Sequence, residues 1–134
     1  MTFEEIKESL EFLDDWEDRY KFVIDLGNEL APLSDDERVR ENRVEGCVSQ
    51  VWIVFGDTEN DKLTLRGDSD ALIVKGLVAI VVALYSGKTA QEMTDTPALE
   101  IFEEIGMSEH LTSQRANGLK SMIEYIGAEA RKRA

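Results

Sequence analysis

The stretch from Leu72 to Tyr85, Leu-Ile-Val-Lys-Gly-Leu-Val-Ala-Ile-Val-Val-Ala-Leu-Tyr, is apolar nearly all round when wound as a helix. A helix of that kind has no face suited to water, so the rest of the chain must enclose it. Its uninterrupted part, Gly76 to Tyr85, is about half of what a bilayer crossing needs, and Asp70 and Lys75 lie immediately before it. The segment therefore reads as a central core helix, covered by a sheet on one side and by other helices elsewhere. Ser69 is placed to cap it, with Asp70 opening its first turn, where a carboxylate suits the helix dipole. Gly87 ends it.

The flanking sequence supplies the cover. Thr2 with Glu5 has capping-box spacing, and Phe3, Ile6, Leu10 and Leu13 then share one helical face. Asp14 or Asp15 caps a second helix with Trp16, Tyr20, Val23 and Ile24 as its stripe and Gly27 as its stop. After Pro32, the charged run Asp35 to Arg40 reads as a solvated segment with one helical turn at most. Two β-branched and aromatic runs, Gln50 to Phe55 and Lys62 to Gly67, are joined by the polar stretch 56–61, the pattern of an antiparallel hairpin. Residues near Arg43 to Glu45 can add a short third strand. Thr89 with Glu92 caps a short turn, Thr96-Pro97 opens another helix with proline at its first position, and Gly106 closes it. A last helix carries Leu119, Met122, Ile123 and Ile126 at core spacing and ends on Arg131, Lys132 and Arg133. The fold class expected is α+β, a small antiparallel sheet of about three strands packed by several helices, and 134 residues with 43% apolar content suit one domain, 1–134.

Charge and cysteine content narrow the function. Lys plus Arg number 15 against 28 Asp plus Glu, a net charge of -13, so nucleic acid and anionic membrane are expected to be repelled. The N-terminal segment is an acidic helix pattern with no basic or apolar leader, and one cysteine makes no internal disulfide, so the cytoplasm is the expected compartment. Gly87-Lys88-Thr89 is not a phosphate-binding loop: the upstream glycine is missing and a helix, not a strand, precedes it.

That cysteine lies in Arg43-Val44-Glu45-Gly46-Cys47-Val48-Ser49-Gln50-Val51-Trp52. Gly46 permits a sharp bend before the thiol, and the strand that follows anchors the loop on rigid structure. A lone cysteine is commonly a small buried hydrophobe, but Glu45, Ser49 and Gln50 are polar neighbours that burial would have to satisfy.

Gly46-Cys47-Val48-Ser49-Gln50-Val51-Trp52, followed by Gly67-Asp68-Ser69-Asp70-Ala71 and Ile73-Val74-Lys75-Gly76-Leu77, resembles the SufE family of sulfur acceptors, CsdE-like proteins included. Trp16-Glu17-Asp18-Arg19-Tyr20 with Asp25-Leu26-Gly27 is similar to the family's N-terminal helix. Leu111-Thr112-Ser113-Gln114-Arg115 with Asn117-Gly118-Leu119 is similar to its C-terminal one. Ser113-Gln114-Arg115 departs from the more frequent proline-serine-arginine, which bears on the local loop shape and not on the arginine.

The resemblance implies a fold shared with iron-sulfur scaffold proteins of the other assembly system. It also implies a non-enzymatic role: Cys47 accepts persulfide sulfur from a cysteine desulfurase of the SufS or CsdA kind, stimulates that enzyme, and delivers the sulfur to an iron-sulfur scaffold. Pyridoxal phosphate belongs to the desulfurase, and no cofactor is implied for this chain. With only Cys47 and His110, the chain lacks the ligands for a cluster or a closed zinc site. The absence of a second thiol suits carriage, since a partner thiol would resolve the persulfide. Arg115 is the first candidate for raising thiolate character, with Arg43 and Arg66 behind it; pairing with a surface carboxylate is its other reading. Asp70 is a candidate for docking or loop control, and Gly46, Ser49 and Gln50 for loop shape and partner contact. Monomer and homodimer both remain open. Two other readings stand: an interaction module with an inert Cys47, and a thiol hydrolase or acyltransferase using Cys47 with His110 as base.

Overall fold

The structure is a computed structural model and describes residues 1–57, 59–107 and 111–134. Among the described residues, six helices and three strands follow in the order α1 (Phe3–Phe12), α2 (Trp16–Asn28), β1 (Val51–Asp57), β2 (Lys62–Ser69), α3 (Leu72–Tyr85), β3 (Lys88–Thr89), α4 (Ala90–Asp95), α5 (Ala98–Glu104) and α6 (Ser113–Arg133). Single turns of 3-10 helix lie at Arg40–Asn42 and Glu59–Asp61. The sheet is antiparallel, in the order β1-β2-β3, so the fold is the expected α+β arrangement.

The apolar run is indeed the centre. Within α3, Ile73, Val74, Leu77, Val78, Ile80, Val81, Leu84 and Tyr85 are buried, and the helix packs on β1, β2, α1, α2 and α6. Each Leu, Ile or Val enclosed this way contributes about 1.5–3 kcal/mol, which makes α3 the main source of core stability. The strands present Val51 and Ile53 of β1 and Leu63 and Leu65 of β2 to the same core. Period-two alternation sends Arg66 of β2 outward, where its guanidinium pairs with Glu37.

Both capping boxes form as read, Thr2 with Glu5 and Thr89 with Glu92, and the Asp15 carboxylate accepts from the Glu17 N–H to cap α2. Four expectations need correction. Gly27 does not stop α2, which continues to Asn28; it lies against Gly76 of α3, where a Cβ on Gly27 would stand 2.7 Å from the Gly76 nitrogen. The two glycines set how closely α2 and α3 cross. The helix α3 starts later than Ser69 and Asp70 predicted, with Ala71 as its N-cap and no side-chain capping bond; the Asp70 carboxylate is taken by the Gln50 N–H, and Ser69 Oγ accepts from the Ala71 N–H, just before the helix. Residues 43–45 form no strand, only a bridge from Arg43 to Trp52; the third strand is Lys88–Thr89, paired with Lys62 and Leu63. Gly87, at a φ of +88°, turns the chain out of α3 into that strand and donates its N–H to the Leu63 carbonyl. Finally, Pro97 is the N-cap of α5 and not its first residue.

Asp68, near the end of β2, is buried and holds three parts together. Its carboxylate lies 3.5 Å from Arg38 Nη1 and 3.5 Å from Lys75 Nζ, and accepts the Ser69 N–H at 2.8 Å. Arg38 also donates to the Leu33 carbonyl at 2.6 Å and pairs with Asp35, so the charged segment before the cysteine is fastened to the sheet and to α3. No helix among the described residues is long and apolar enough to cross a membrane.

Candidate functional site

The segment carrying Cys47 is a short loop closed at both ends by hydrogen bonds. At its base the Val44 N–H donates to the Val51 carbonyl at 2.8 Å, next to the Arg43–Trp52 bridge. At its exit the backbone of Gln50 is clamped from three directions. The Gln50 N–H donates to Asp70 Oδ1 at 3.0 Å, while the Gln50 carbonyl accepts from Ser69 Oγ at 2.7 Å and from the Asp70 N–H at 3.3 Å. Ser69, read as the cap of α3, and Asp70, read as its first-turn carboxylate, are engaged here. Short polar side chains satisfy nearby backbone groups and so compete with helix capping; here they tie the cysteine loop to the start of α3.

Between those anchors Gly46 adopts a φ of +90°, open to glycine and strained for other residues. It rests on α6 so closely that a Cβ would come within 2.6 Å of Ser121 Oγ. The bend turns Cys47 inward. Its thiol is half-buried and donates to the Gly118 carbonyl of α6 at 3.6 Å. The Gly118 carbonyl is thus the contact that seats the sulfur; a Cβ on Gly118 would lie 3.7 Å from Sγ, in ordinary contact. Val48, next along, is 74% exposed.

Beside the thiol lies a cavity of about 250 Å³, lined by Cys47 and Ser49 of the loop, by Leu77 of α3, and by Arg115, Gly118 and Met122 of α6. Its walls come from α3, α6 and the loop. Arg115 sits in the first turn of α6, and its guanidinium stacks over the Tyr20 ring of α2 at 5.8 Å, a contact worth about 0.5–1 kcal/mol. Tyr20 in turn meets Trp16 edge-on, with centroids 6.5 Å apart. Thr112 caps α6 by accepting from the Arg115 N–H at 3.3 Å, so Ser113 occupies the first helical position, the one helix position where proline is equally at home. The departure from the family's proline therefore leaves the helix start intact.

Burial pushes the Cys47 thiol above its ordinary value of 9.0, and the nearby Arg43 charge pulls partly against that shift. At neutral pH the tucked-in thiol is thus mostly protonated. Arg43 is the charge that acts on the sulfur here, whereas Arg115 shares the cavity and Arg66 is paired with Glu37. Of the residues singled out from sequence, the structure brings Cys47, Ser49 and Arg115 to one cavity, places Gly46 at the bend, and sets Asp70 and Gln50 at the loop's exit. His110 lies outside the described residues. The reading from sequence missed the Gly118 carbonyl and Ser121. A backbone carbonyl and a lone serine carry no sequence pattern that could have pointed to them.

The profile of the SufE: Fe-S metabolism associated domain matches residues 4–130. An uncharacterized SufE-like protein of Rhizobium meliloti (strain 1021) is 54% identical, over 96% of this chain and 94% of that protein. Another, from Rhizobium etli, is 53% identical over 99% of this chain and 92% of that one. In fold, the chain is similar to the solution structure of a hypothetical protein from Thermus thermophilus, with a TM-score of 0.78 at 20% identity and coverage of 99% and 98%. With a domain profile spanning nearly its whole length and relatives above half identity, this chain belongs to the SufE family of iron-sulfur metabolism proteins.

Proposed function

We propose that residues 1–134 act as one unit that receives the outer sulfur of a cysteine desulfurase persulfide on Cys47, stimulates that enzyme, and passes the sulfur to an iron-sulfur scaffold. The observation that carries this reading is a single half-buried thiol, on a loop anchored at both ends, facing a cavity with room beyond the sulfur. The desulfurase is a pyridoxal-phosphate enzyme of the SufS or CsdA kind. This chain is its transfer partner and no enzyme itself, working in the cytoplasm as a monomer or homodimer.

The transfer step follows from thiol chemistry. The Cys47 thiolate attacks the terminal sulfur of the donor's persulfide; a new S–S bond forms on Cys47 as the donor's S–S bond breaks, and the donor cysteine leaves as a thiolate. The proton given up by Cys47 balances the one taken by the leaving group, and no net oxidation occurs. Because only the thiolate reacts, the buried protonated resting state is a slow one. Docking that draws Cys47 away from the Gly118 carbonyl removes the desolvation that holds its pKa up. The resting seat thereby protects the thiol, and later its persulfide, from adventitious reaction.

The test is intact-mass analysis after incubation with a cysteine desulfurase, pyridoxal phosphate and cysteine. Wild type gains the mass of one sulfur, removable by reductant, and speeds desulfurase turnover; Cys47→Ser does neither. A wild type that stays unmodified and leaves turnover unchanged would overturn the proposal.

A further inference from the structure

Next to the cavity that holds the thiol is a second concavity, of about 550 Å³, whose lining includes Arg38, Arg40, Arg43, Glu45, Gln50 and Trp52. The two hollows share the cysteine loop. Glu45 and Gln50, at its two ends, line this one, whereas Cys47, Val48 and Ser49 between them line the first. Three arginines within six residues are unusual on a chain of net charge -13. Arg38 is committed to Leu33, Asp35 and Asp68. Arg40, exposed, and Arg43, half-buried, make no side-chain hydrogen bond or ion pair among the described residues. Glu45 is the one carboxylate in the lining, and Trp52 adds a half-buried aromatic wall. Paired arginine and tryptophan side chains are the typical anchors of protein interfaces.

We propose that this groove docks a carboxylate-bearing surface of the protein that donates sulfur to Cys47, Arg40 and Arg43 being the groups that receive it. The proposal rests on the sulfur-acceptor reading. Any protein that brings a persulfide to Cys47 must cover the loop ends, and Glu45 and Gln50 make the groove continuous with that footprint. Most of this chain's surface repels an acidic partner, so a local basic groove beside the thiol selects the orientation in which the two can approach. A phosphate backbone would be met by the net charge of the whole chain.

Arg40 is the residue to vary, because it is exposed and is not among the groups acting on the Cys47 pKa. Full-length wild type, Arg40→Lys and Arg40→Glu are titrated into pyridoxal-phosphate-loaded desulfurase with cysteine. Arg40→Glu is expected to raise the concentration for half-maximal sulfur transfer by roughly 5–20-fold, with the maximal rate unchanged. Its response to added salt flattens, Arg40→Lys stays near wild type, and iodoacetamide labelling of Cys47 without desulfurase is equal in all three. Unchanged half-saturation in Arg40→Glu, with wild-type Cys47 still accepting sulfur, overturns the docking proposal and leaves the carrier reading standing. Failure of wild type to accept sulfur removes both. If calorimetry shows saturable sulfate binding that Arg40→Glu abolishes without altering half-saturation, the groove is a small-anion site and the docking proposal fails.

Discussion

Replacing Gly46 by alanine strains the cysteine loop in two separable ways. The φ of +90° costs an L-residue about 1–2 kcal/mol. The new Cβ also arrives 2.6 Å from Ser121 Oγ, and moving that hydroxyl aside costs about 1 kcal/mol. Against this total of roughly 2–3 kcal/mol, the seat of Cys47 consists of one weak thiol–carbonyl bond and a half-buried side chain, together worth about 1–2 kcal/mol. The strain exceeds the seat, so the loop is expected to leave α6 while its two anchors hold. Iodoacetamide labelling of Cys47 at neutral pH should then rise about tenfold, a change equivalent to about 1.4 kcal/mol. In Gly46→Ala/Ser121→Ala only the steric part is relieved, so the rate falls back severalfold but stays above wild type; Ser121→Ala alone changes little. If Gly46→Ala labels like wild type while its Tm drops by the full strain, the loop does not move independently of the core, and the reasoning fails.

Three further outcomes follow from the same contacts. Asp70→Ala releases the Gln50 N–H from a charge-assisted bond worth about 1–2 kcal/mol, so Cys47 labelling rises severalfold and Tm falls by roughly 3–10 °C; equal labelling would show that the clamp does not restrain the thiol. The pH profile of labelling in wild type should inflect above 9.0. The seat favours the neutral thiol, so its contribution to stability is complete below the ordinary thiol pKa and is lost as pH rises through the raised one; an inflection below 9.0 contradicts this. Gly76→Ala puts a Cβ 2.2 Å from the Val23 carbonyl oxygen, a backbone atom that cannot rotate away. The cost outweighs the helix propensity gained, for a net loss of about 2 kcal/mol or more and a fall of roughly 6–10 °C in Tm; an unchanged Tm would mean that α2 and α3 separate freely.

What the sequence made legible was local or strongly periodic. The enclosed helix Leu72–Tyr85 announced itself by composition, and the boxes at Thr2 and Thr89 by spacing, because their partners lie within one turn. Three misreadings have one cause, a distant partner outcompeting the local preference. Asp70 looks like a first-turn carboxylate until Gln50, twenty positions earlier, offers its N–H. Gly27 looks like a helix stop until Gly76 is packed against it. Lys88–Thr89 is too short to carry a strand pattern, and is a strand only because β2 lies beside it. At the candidate site, the motifs pointed to Cys47, Ser49 and Arg115, which the structure places on one cavity, whereas the thiol's acceptor, a backbone carbonyl of Gly118, has no side chain to betray it.

On the proposed function, Cys47 carries sulfur onward and does not merely react with it. The most direct test follows radiolabelled sulfur from cysteine, through a desulfurase and this protein, to a scaffold supplied with ferrous iron and an electron donor, since the persulfide's outer sulfur must gain two electrons to become cluster sulfide. Label should appear first on Cys47 as a reductant-labile species, leave it on addition of the scaffold, and enter the cluster at the same rate; with Cys47→Ser, entry should collapse to the desulfurase-only background. Label that stays on Cys47 when scaffold and iron are present, or a cluster that fills equally fast with Cys47→Ser, would contradict the account.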